Sequence, residues 1–164
     1  MDLTRRNLLA AAAILPALTL STSRGFANGT VVEVSLWDKG ADAEMGMGMG
    51  MAMHGDMAKA TMGIDAKPAT AKAGEITFRA VNASKDTIHE MVVAPVADVD
   101  KPLPYNEAEA KVDEDAAGHL GEVAELEPGQ SGALTITLKP GTYILYCNIP
   151  GHYAAGMWTL FTVT

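Results

Sequence analysis

The segment YILYCNIPGHYAAGMW, residues 143–158, contains the only cysteine of the 164-residue chain. Cys147 is followed after five residues by His152 and after another five by Met157. A thiolate, an imidazole and a thioether on one short loop form a ligand set for a soft metal. Copper accepts this mixture in both of its common oxidation states better than most biological metals do. The segment therefore predicts a copper site.

The same segment predicts the backbone that would carry such a site. Tyr143, Leu145 and Cys147 share one face of an alternating strand. The proline-glycine pair before His152 predicts a turn that brings the imidazole back towards the sulfur. A second strand, residues 157–163, receives the chain. The candidate ligands thus lie on a tight loop between two strands.

A second imidazole is supplied from upstream, where His89 lies at the start of a strand in the segment IHEMVV, residues 88–93. His89, Cys147 and His152 would form a trigonal set with Met157 as a weak axial ligand, the pattern of a blue-copper centre. Taken singly, a buried cysteine is more often a small core residue, and a lone histidine is more often a surface or core residue. The order of the four residues and their strand-loop-strand context favour the metal site.

The ligand loop resembles that of the cupredoxins, the small blue-copper proteins, in their sulfocyanin-like or plastocyanin/azurin-like bacterial members. The similarity extends roughly from Thr30 to Thr164. It implies an all-β, Greek-key antiparallel β-sandwich that holds one type 1 copper ion. The residues that carry the resemblance are 141–147, Pro150-Gly151-His152 and Gly156-Met157. One departure follows the first ligand, where many cupredoxins carry Asn or Ser and this chain has Glu90.

The resemblance also implies a function, the transfer of single electrons. His89 is expected to be the buried imidazole and His152 the imidazole near the surface, where electrons would pass. An apolar rim for transient docking is expected from Tyr153, Ala154, Ala155 and Trp158. Four protein ligands leave no open position for a substrate, which argues against an enzyme. Multicopper enzymes need more histidines than the four present, and a binuclear copper centre needs two cysteines.

The N-terminus has the pattern of an export signal. Arg5-Arg6 precedes a run of 13 mostly apolar residues, 8–20, which is too short to span a bilayer. The arginine pair favours the twin-arginine type over a general secretion signal. We expect a signal peptide over residues 1–27, one mature domain over residues 28–164, and a periplasmic location.

Charge narrows the choice of partner. Without Asp2, Arg5, Arg6 and Arg24, the 12 basic and 20 acidic side chains become 9 and 19, a net charge of −10. An acidic domain argues against nucleic acid and anionic lipid, and it favours a basic partner. A basic c-type cytochrome is the expected redox partner, with the acidic residues between Pro95 and Leu126 as its docking patch. A solvated face without a partner is the plainer interpretation of the same residues.

A low-complexity stretch before the second strand carries most of the methionines. Alternating glycines remove both helix and strand preference, so it is expected to be a loop-like insert. Thioethers select Cu(I), which leaves an alternative function open: a periplasmic copper chaperone or copper-tolerance protein that uses residues 45–62. A flexible loop or an adaptable apolar surface are the alternatives without copper. The candidate ligands are Met45, Met47, Met49, Met51, Met53, His54 and Met57.

The rest of the chain predicts strands separated by turns. Strands are expected at residues 30–37, 74–82, 87–94 and 133–138, with residues 63–73 as a linker. Residues 95–126 lack strand patterning and predict an acidic, partly helical insert, with a short helix over 105–111. His119 in this insert is expected to be exposed, without other candidate ligands around it.

Overall fold

The computed structural model describes residues 29–40 and 60–164. Within these two ranges the chain forms eleven strands and one short helix. The elements are β1 Thr30–Asp38, β2 Met62–Lys67, β3 Thr70–Ala71, β4 Gly74–Asn82, β5 His89–Pro95, β6 Tyr105–Asn106, β7 Lys111–Val112, α1 Glu114–Ala117, β8 Gly121–Leu126, β9 Ser131–Leu138, β10 Gly141–Tyr146 and β11 Trp158–Val163. The all-β class expected from the sequence is confirmed.

Two sheets pack face to face and enclose the core. One has the strand order β2-β1-β4-β9, and the other has the order β3-β11-β10-β5-β8. Strand β1 buries Val32, Val34 and Leu36, the face predicted from its alternation. Phe78 and Phe161 meet across the two sheets with ring centroids 5.2 Å apart, in an edge-to-face arrangement. The result is a β-sandwich with one continuous apolar layer.

Strand β10, which leads to the cysteine, lies in the middle of its sheet. It pairs antiparallel with β11 on one side and with β5 on the other, so that Leu145 lies opposite both Thr159 and Val93. Tyr143, Leu145 and Cys147 point into the main core, as their alternation predicted. Strand β10 forms ladder hydrogen bonds with a neighbour on each side. Cys147 therefore follows the end of a rigid central strand and not of an edge strand.

The sheets are mixed, whereas the resemblance implied an antiparallel sandwich. Strand β1 runs parallel to β4, with Val32 opposite Phe78, and β11 runs parallel to β3, with Val163 opposite Ala71. Alternation specifies which side chains face the core but not the direction of the neighbouring strand. The other ladders of both sheets are antiparallel among the described strands.

The prediction of a linker over residues 63–73 was wrong. Residues 62–67 form β2, which pairs with β1 so that Ile64 lies opposite Leu36. Met62, which the sequence grouped with the methionine-rich insert, is buried in the core. A Cβ on Gly63 would lie 2.6 Å from the indole ring of Trp37, so this glycine permits close packing instead of marking a loop. Tertiary contacts here outweigh weak strand propensity.

The prediction of a helix over residues 105–111 was also wrong. Strands β6 and β7 form a hairpin there, and the side chain of Asn106 accepts hydrogen bonds from the backbone N–H groups of Ala108 and Glu109 in its turn. The helix α1 comes later and is capped by the side chain of Asp113. Residues 121–126 form β8 on the sheet edge. The acidic stretch, residues 95–126, thus contains three strands and one short helix.

The acidic stretch also covers the outer face of the second sheet. Leu103, Val112 and Ala117 come from this stretch, and they pack against Ile144 and Tyr146 of β10 in a second buried cluster. A central strand that is buried on both faces cannot show a polar outer side, which explains the apolar residues on both faces of β10. The stretch is therefore an integral layer of the domain.

Three expectations fall outside the described residues. They are the signal peptide over residues 1–27, the twin-arginine pair Arg5-Arg6, and the candidate Cu(I) ligands between Met45 and Met57. Within residues 29–40 and 60–164, no helix is long and apolar enough to cross a membrane.

Candidate metal centre

The loop after β10 holds the cysteine and one histidine in a closed turn. The backbone N–H of Cys147 donates to the carbonyl of Met157 at 3.0 Å, and Met157 N–H donates to the carbonyl of His152 at the same distance. His152 N–H in turn donates to Ile149 at 3.0 Å, and Gly151 adopts φ +84°, which favours glycine. These bonds fix the conformation of the loop. The predicted turn is confirmed.

His89 approaches the same point from the neighbouring strand. It is the first residue of β5, at a register shift that separates its pairing with Leu126 from the pairing of Met91 with Val123. A β-bulge of this kind redirects the side chain at the strand end. The imidazole of His89 is fully buried, as expected, and 6% of His152 remains exposed. His152 is thus the more accessible of the two imidazoles, although both are buried.

Three donor atoms converge between these elements. Nδ1 of His89 lies 3.3 Å from Nδ1 of His152, and Sγ of Cys147 lies 3.3 Å from the same nitrogen. All three ligand atoms lie within 4.8 Å of one another. Metal bonds of about 2.0–2.3 Å place the ligands of a trigonal site about 3.5 Å apart. The three side chains therefore fit a trigonal metal ion with only small adjustments.

Met157, the predicted axial ligand, lies at the base of the same loop. It is fully buried in the same apolar cluster as Cys147. Its backbone pairs with both Cys147 and His152. A His₂Cys group with a methionine on the same loop has the composition of a blue-copper site. The donor set thus fits copper, and the chemistry is too soft for magnesium or calcium.

Burial disfavours charge on the ligands themselves. It raises the pKa of the Cys147 thiol to about 12, although the N–H groups of Glu90 and Ile149 act in the opposite direction. Burial, together with the nearby His89, lowers the pKa of His152 to about 4, so that its imidazole is neutral at pH 7. The pKa of His89 is also lowered by burial, despite its hydrogen bond to Asp38. Neutral imidazoles are the form that binds a metal.

Glu90 braces the site in the position where many cupredoxins have Asn or Ser. Its backbone N–H lies 3.5 Å from the sulfur of Cys147, and its carboxylate accepts a hydrogen bond from the backbone of Asn148. Glu90 therefore links the strand of His89 to the loop of Cys147. Burial and the nearby Glu122 raise its pKa to about 7.

The raised pKa of Glu90 predicts how stability depends on pH. Its folded pKa of about 7 exceeds the reference value of 4.5, so its stabilising neutral form is lost as pH rises through 7. Glu90→Gln should therefore raise the free energy of unfolding of the copper-free protein by about 2 kcal/mol at pH 8 and by much less at pH 4.5. Urea unfolding at both pH values measures this difference. Glu125→Gln, at an exposed site, is the control, and an equal gain at both pH values would contradict the prediction.

The expected apolar rim around His152 was largely wrong. Tyr153 is buried, and its hydroxyl accepts a hydrogen bond from Leu103 N–H at 3.0 Å. Ala155 and Trp158 are buried as well, which leaves only Ala154 partly exposed among the four. Alternation and turn signals do not reveal that residues 95–117 cover this side of the loop. The ring of Tyr153 belongs to the outer cluster instead.

Two acidic side chains lie close enough to His119 to form a potential ligand group with it, whereas the sequence predicted no such group. The ligand atoms of Glu114, His119 and Glu122 lie within 4.8 Å of one another. His119 and Glu122 are exposed, as predicted for the histidine. The sequence missed the group because α1 and β8 bring together residues that share no periodic pattern.

A β-sandwich with a buried His₂Cys group at the end of its central strands defines a cupredoxin fold and site. Residues 50–164 match the copper binding proteins of the plastocyanin/azurin family. The chain belongs to this family, a class of copper-based electron-transfer proteins, and its cofactor is a single type 1 copper ion.

Comparison with individual proteins agrees with this assignment. A stretch of 51 residues is 47% identical to auracyanin-B of Chloroflexus aurantiacus, and it covers 30% of this chain and 22% of that relative's length. The dithionite-reduced auracyanin of Roseiflexus castenholzii is 24% identical, with a TM-score of 0.51 over 82% of this chain and 96% of that one. A structure of auracyanin B is also 24% identical, with a TM-score of 0.54 over 82% and 88% of the two chains. The structural similarities support the fold.

Proposed function

We propose that the protein is an exported, periplasmic electron carrier whose copper cycles between Cu(I) and Cu(II) on His89, Cys147, His152 and Met157. The observation that carries this proposal is the convergence of three buried donor atoms from two strand ends and the loop between β10 and β11, with Nδ1 of His152 3.3 Å from each of the other two. Copper, when bound, supplies the one-electron chemistry. The chain's own part is to hold the ligands in one arrangement for both oxidation states.

The rigidity of the ligand elements supports this role. Cys147 and His89 follow or begin strands that pair with neighbours on both sides, and the loop between Cys147 and Met157 is closed by its own hydrogen bonds. A preorganised site reduces the rearrangement that accompanies a change of charge. The same burial excludes solvent and substrate from the donor atoms, which supports a carrier instead of an enzyme.

The axial role of Met157 is testable through the reduction potential. Met157→Gln should keep copper bound and lower the potential, because an amide oxygen is a harder ligand that favours Cu(II) over Cu(I). Protein-film voltammetry of the copper-loaded variant measures the change. Met91→Gln, which alters a buried methionine outside the donor set, is a control for the effect of core polarity. A potential that is unchanged in Met157→Gln would remove Met157 from the axial position.

The acidic stretch supports a basic redox partner such as a c-type cytochrome. It is attached directly to the ligand loop, since Gly151 N–H donates to the carbonyl of Ala110 at 2.8 Å. Glu107 and Glu109 are exposed in the adjoining hairpin turn. A carboxylate patch joined to the metal loop would orient a cationic partner close to His152 and accelerate its association.

Electron transfer to a basic cytochrome c tests this partner class. The bimolecular rate constant for the wild-type protein should fall as salt rises from 10 to 200 mM, by about tenfold or more. The double variant Glu107→Lys and Glu109→Lys should show a lower rate and a weaker salt dependence. Glu75→Lys is the control, because Glu75 lies near the start of β4 and Asn82 forms the other end of that strand. This substitution should change the rate little. Equal effects of both variants would leave the hairpin without a specific docking role.

A further inference from the structure

Asp38 forms a buried hydrogen bond with the candidate ligand His89. Its Oδ2 lies 2.8 Å from Nε2 of the imidazole, and the two side chains are 5% and 0% exposed. Asp38 is the last residue of β1 in one sheet, and His89 is the first residue of β5 in the other. The contact therefore joins the two sheets at the end of the sandwich that carries the metal centre.

The carboxylate of Asp38 is itself held in place. Its Oδ1 accepts a hydrogen bond from the N–H of Gly40 at 2.7 Å, and the hydroxyl of Ser84 also donates to this carboxylate. Ser84 is fixed in turn, because its N–H donates to Oδ1 of Asn82 at 2.9 Å. The amide of Asn82 donates to two backbone carbonyls at 2.8 Å each. A series of hydrogen-bonded polar side chains thus leads through Ser84 and Asp38 to Nε2 of His89.

We propose that Asp38 is a positioning residue of the copper centre, holding the Nε2–H of His89 so that Nδ1 faces the metal and adding a negative charge that favours Cu(II) over Cu(I). The inference rests on the proposed function, in which His89 is a ligand. The geometry supports it directly, since Nδ1 of the same ring lies 3.3 Å from Nδ1 of His152. A ring held by Nε2 can offer only Nδ1 to an ion.

The negative charge of Asp38 is not explained by the orientation of the His89 ring alone. A neutral backbone carbonyl would orient the ring equally well, and burying the charge of a carboxylate costs desolvation free energy. A carboxylate also makes the imidazole a more basic ligand and attracts the doubly charged ion more than the singly charged one. Asp38 would therefore lower the reduction potential, opposing the apolar surroundings of the site.

Asp38→Asn tests the inference in the copper-loaded protein. The affinity for Cu(II) should fall about tenfold, with less change for Cu(I), and for a one-electron couple this raises the potential by at most about 59 mV. Asp65→Asn, at an exposed position of β2, removes the same charge elsewhere and should leave the Cu(II) affinity within twofold of the wild type and the potential nearly unchanged. Ser84→Ala, which keeps the carboxylate, should produce a smaller rise in potential than Asp38→Asn.

A measurement on the wild-type protein covers the case in which Asp38→Asn fails to fold. Nitrogen-15 spectra of the Cu(I)-loaded protein should show His89 protonated at Nε2, with a proton that exchanges slowly with solvent. A fast-exchanging Nε2 proton, or an Asp38→Asn variant with wild-type potential and a wild-type visible band, would overturn the inference alone. A wild-type protein that lacks the visible band would instead overturn the proposed function.

Discussion

The substitution Cys147→Ser should abolish the intense visible absorption of the copper-loaded protein and weaken copper binding by at least about 100-fold. The sulfur is the soft, covalent ligand of the set, and the resemblance to the cupredoxins assigns the colour to the bond between copper and thiolate. A serine hydroxyl is a hard donor that stays protonated at pH 7. The measurement is an absorption spectrum after one equivalent of Cu(II), together with a competition titration.

A variant on the same strand provides the control for Cys147→Ser. Tyr143→Phe removes only the hydrogen bond from the Tyr143 hydroxyl to the carbonyl of Lys139, and it should leave the spectrum unchanged. Persistence of the intense band in Cys147→Ser would exclude the thiolate from the site. That outcome would favour binding elsewhere, such as the methionines between Met45 and Met57, and with it the copper-chaperone alternative.

The second large effect is expected from Asn148→Ala, with a loss of about 3 kcal/mol in the free energy of unfolding. The buried Asn148 accepts from Val112 N–H at 2.7 Å, and its amide donates to Val112 at 3.1 Å and to Glu114 at 2.7 Å. Alanine would leave the backbone groups of Val112 buried without partners, each at a cost of about 1–3 kcal/mol. Urea unfolding of the copper-free protein measures the loss.

Asn106→Ala is the matched control for Asn148→Ala. Asn106 accepts two backbone hydrogen bonds in the exposed turn between β6 and β7, so its loss should cost less than about 1 kcal/mol. Equal costs for the two variants would contradict the view that Asn148 joins the ligand loop to the acidic stretch. Because Asn148 is outside the donor set, the copper-loaded Asn148→Ala variant should retain its visible band.

The sequence predicted the strands whose side chains alternate clearly. Strands β1, β4 and β9 have one apolar face each, which a period of two residues reveals. The spacing of Cys147, His152 and Met157 on one loop was equally visible, because three soft donors rarely follow one another at such intervals. His89 was found by its position before a strand. These local patterns sufficed for the fold class and the candidate ligands.

The features that the sequence did not predict depend on contacts between distant residues. Strand β2 has weak strand propensity and exists because β1 pairs with it. The apolar residues of the acidic stretch lie between charged residues in the sequence. The sequence therefore did not indicate that this stretch covers β10. Asp38 has no sequence neighbour that points to its role, because its partner His89 is 51 residues away. No periodicity marks a single buried acid.

The most direct test of the account is the electron paramagnetic resonance spectrum of the wild-type protein loaded with one equivalent of Cu(II), recorded with its visible spectrum. Coordination by His89, Cys147, His152 and Met157 predicts one bound ion, an intense visible band and the narrow copper hyperfine splitting of a strongly covalent copper–sulfur bond. A pale protein with the broad splitting of ordinary tetragonal Cu(II) would contradict the account, because the copper would then be bound away from the cysteine.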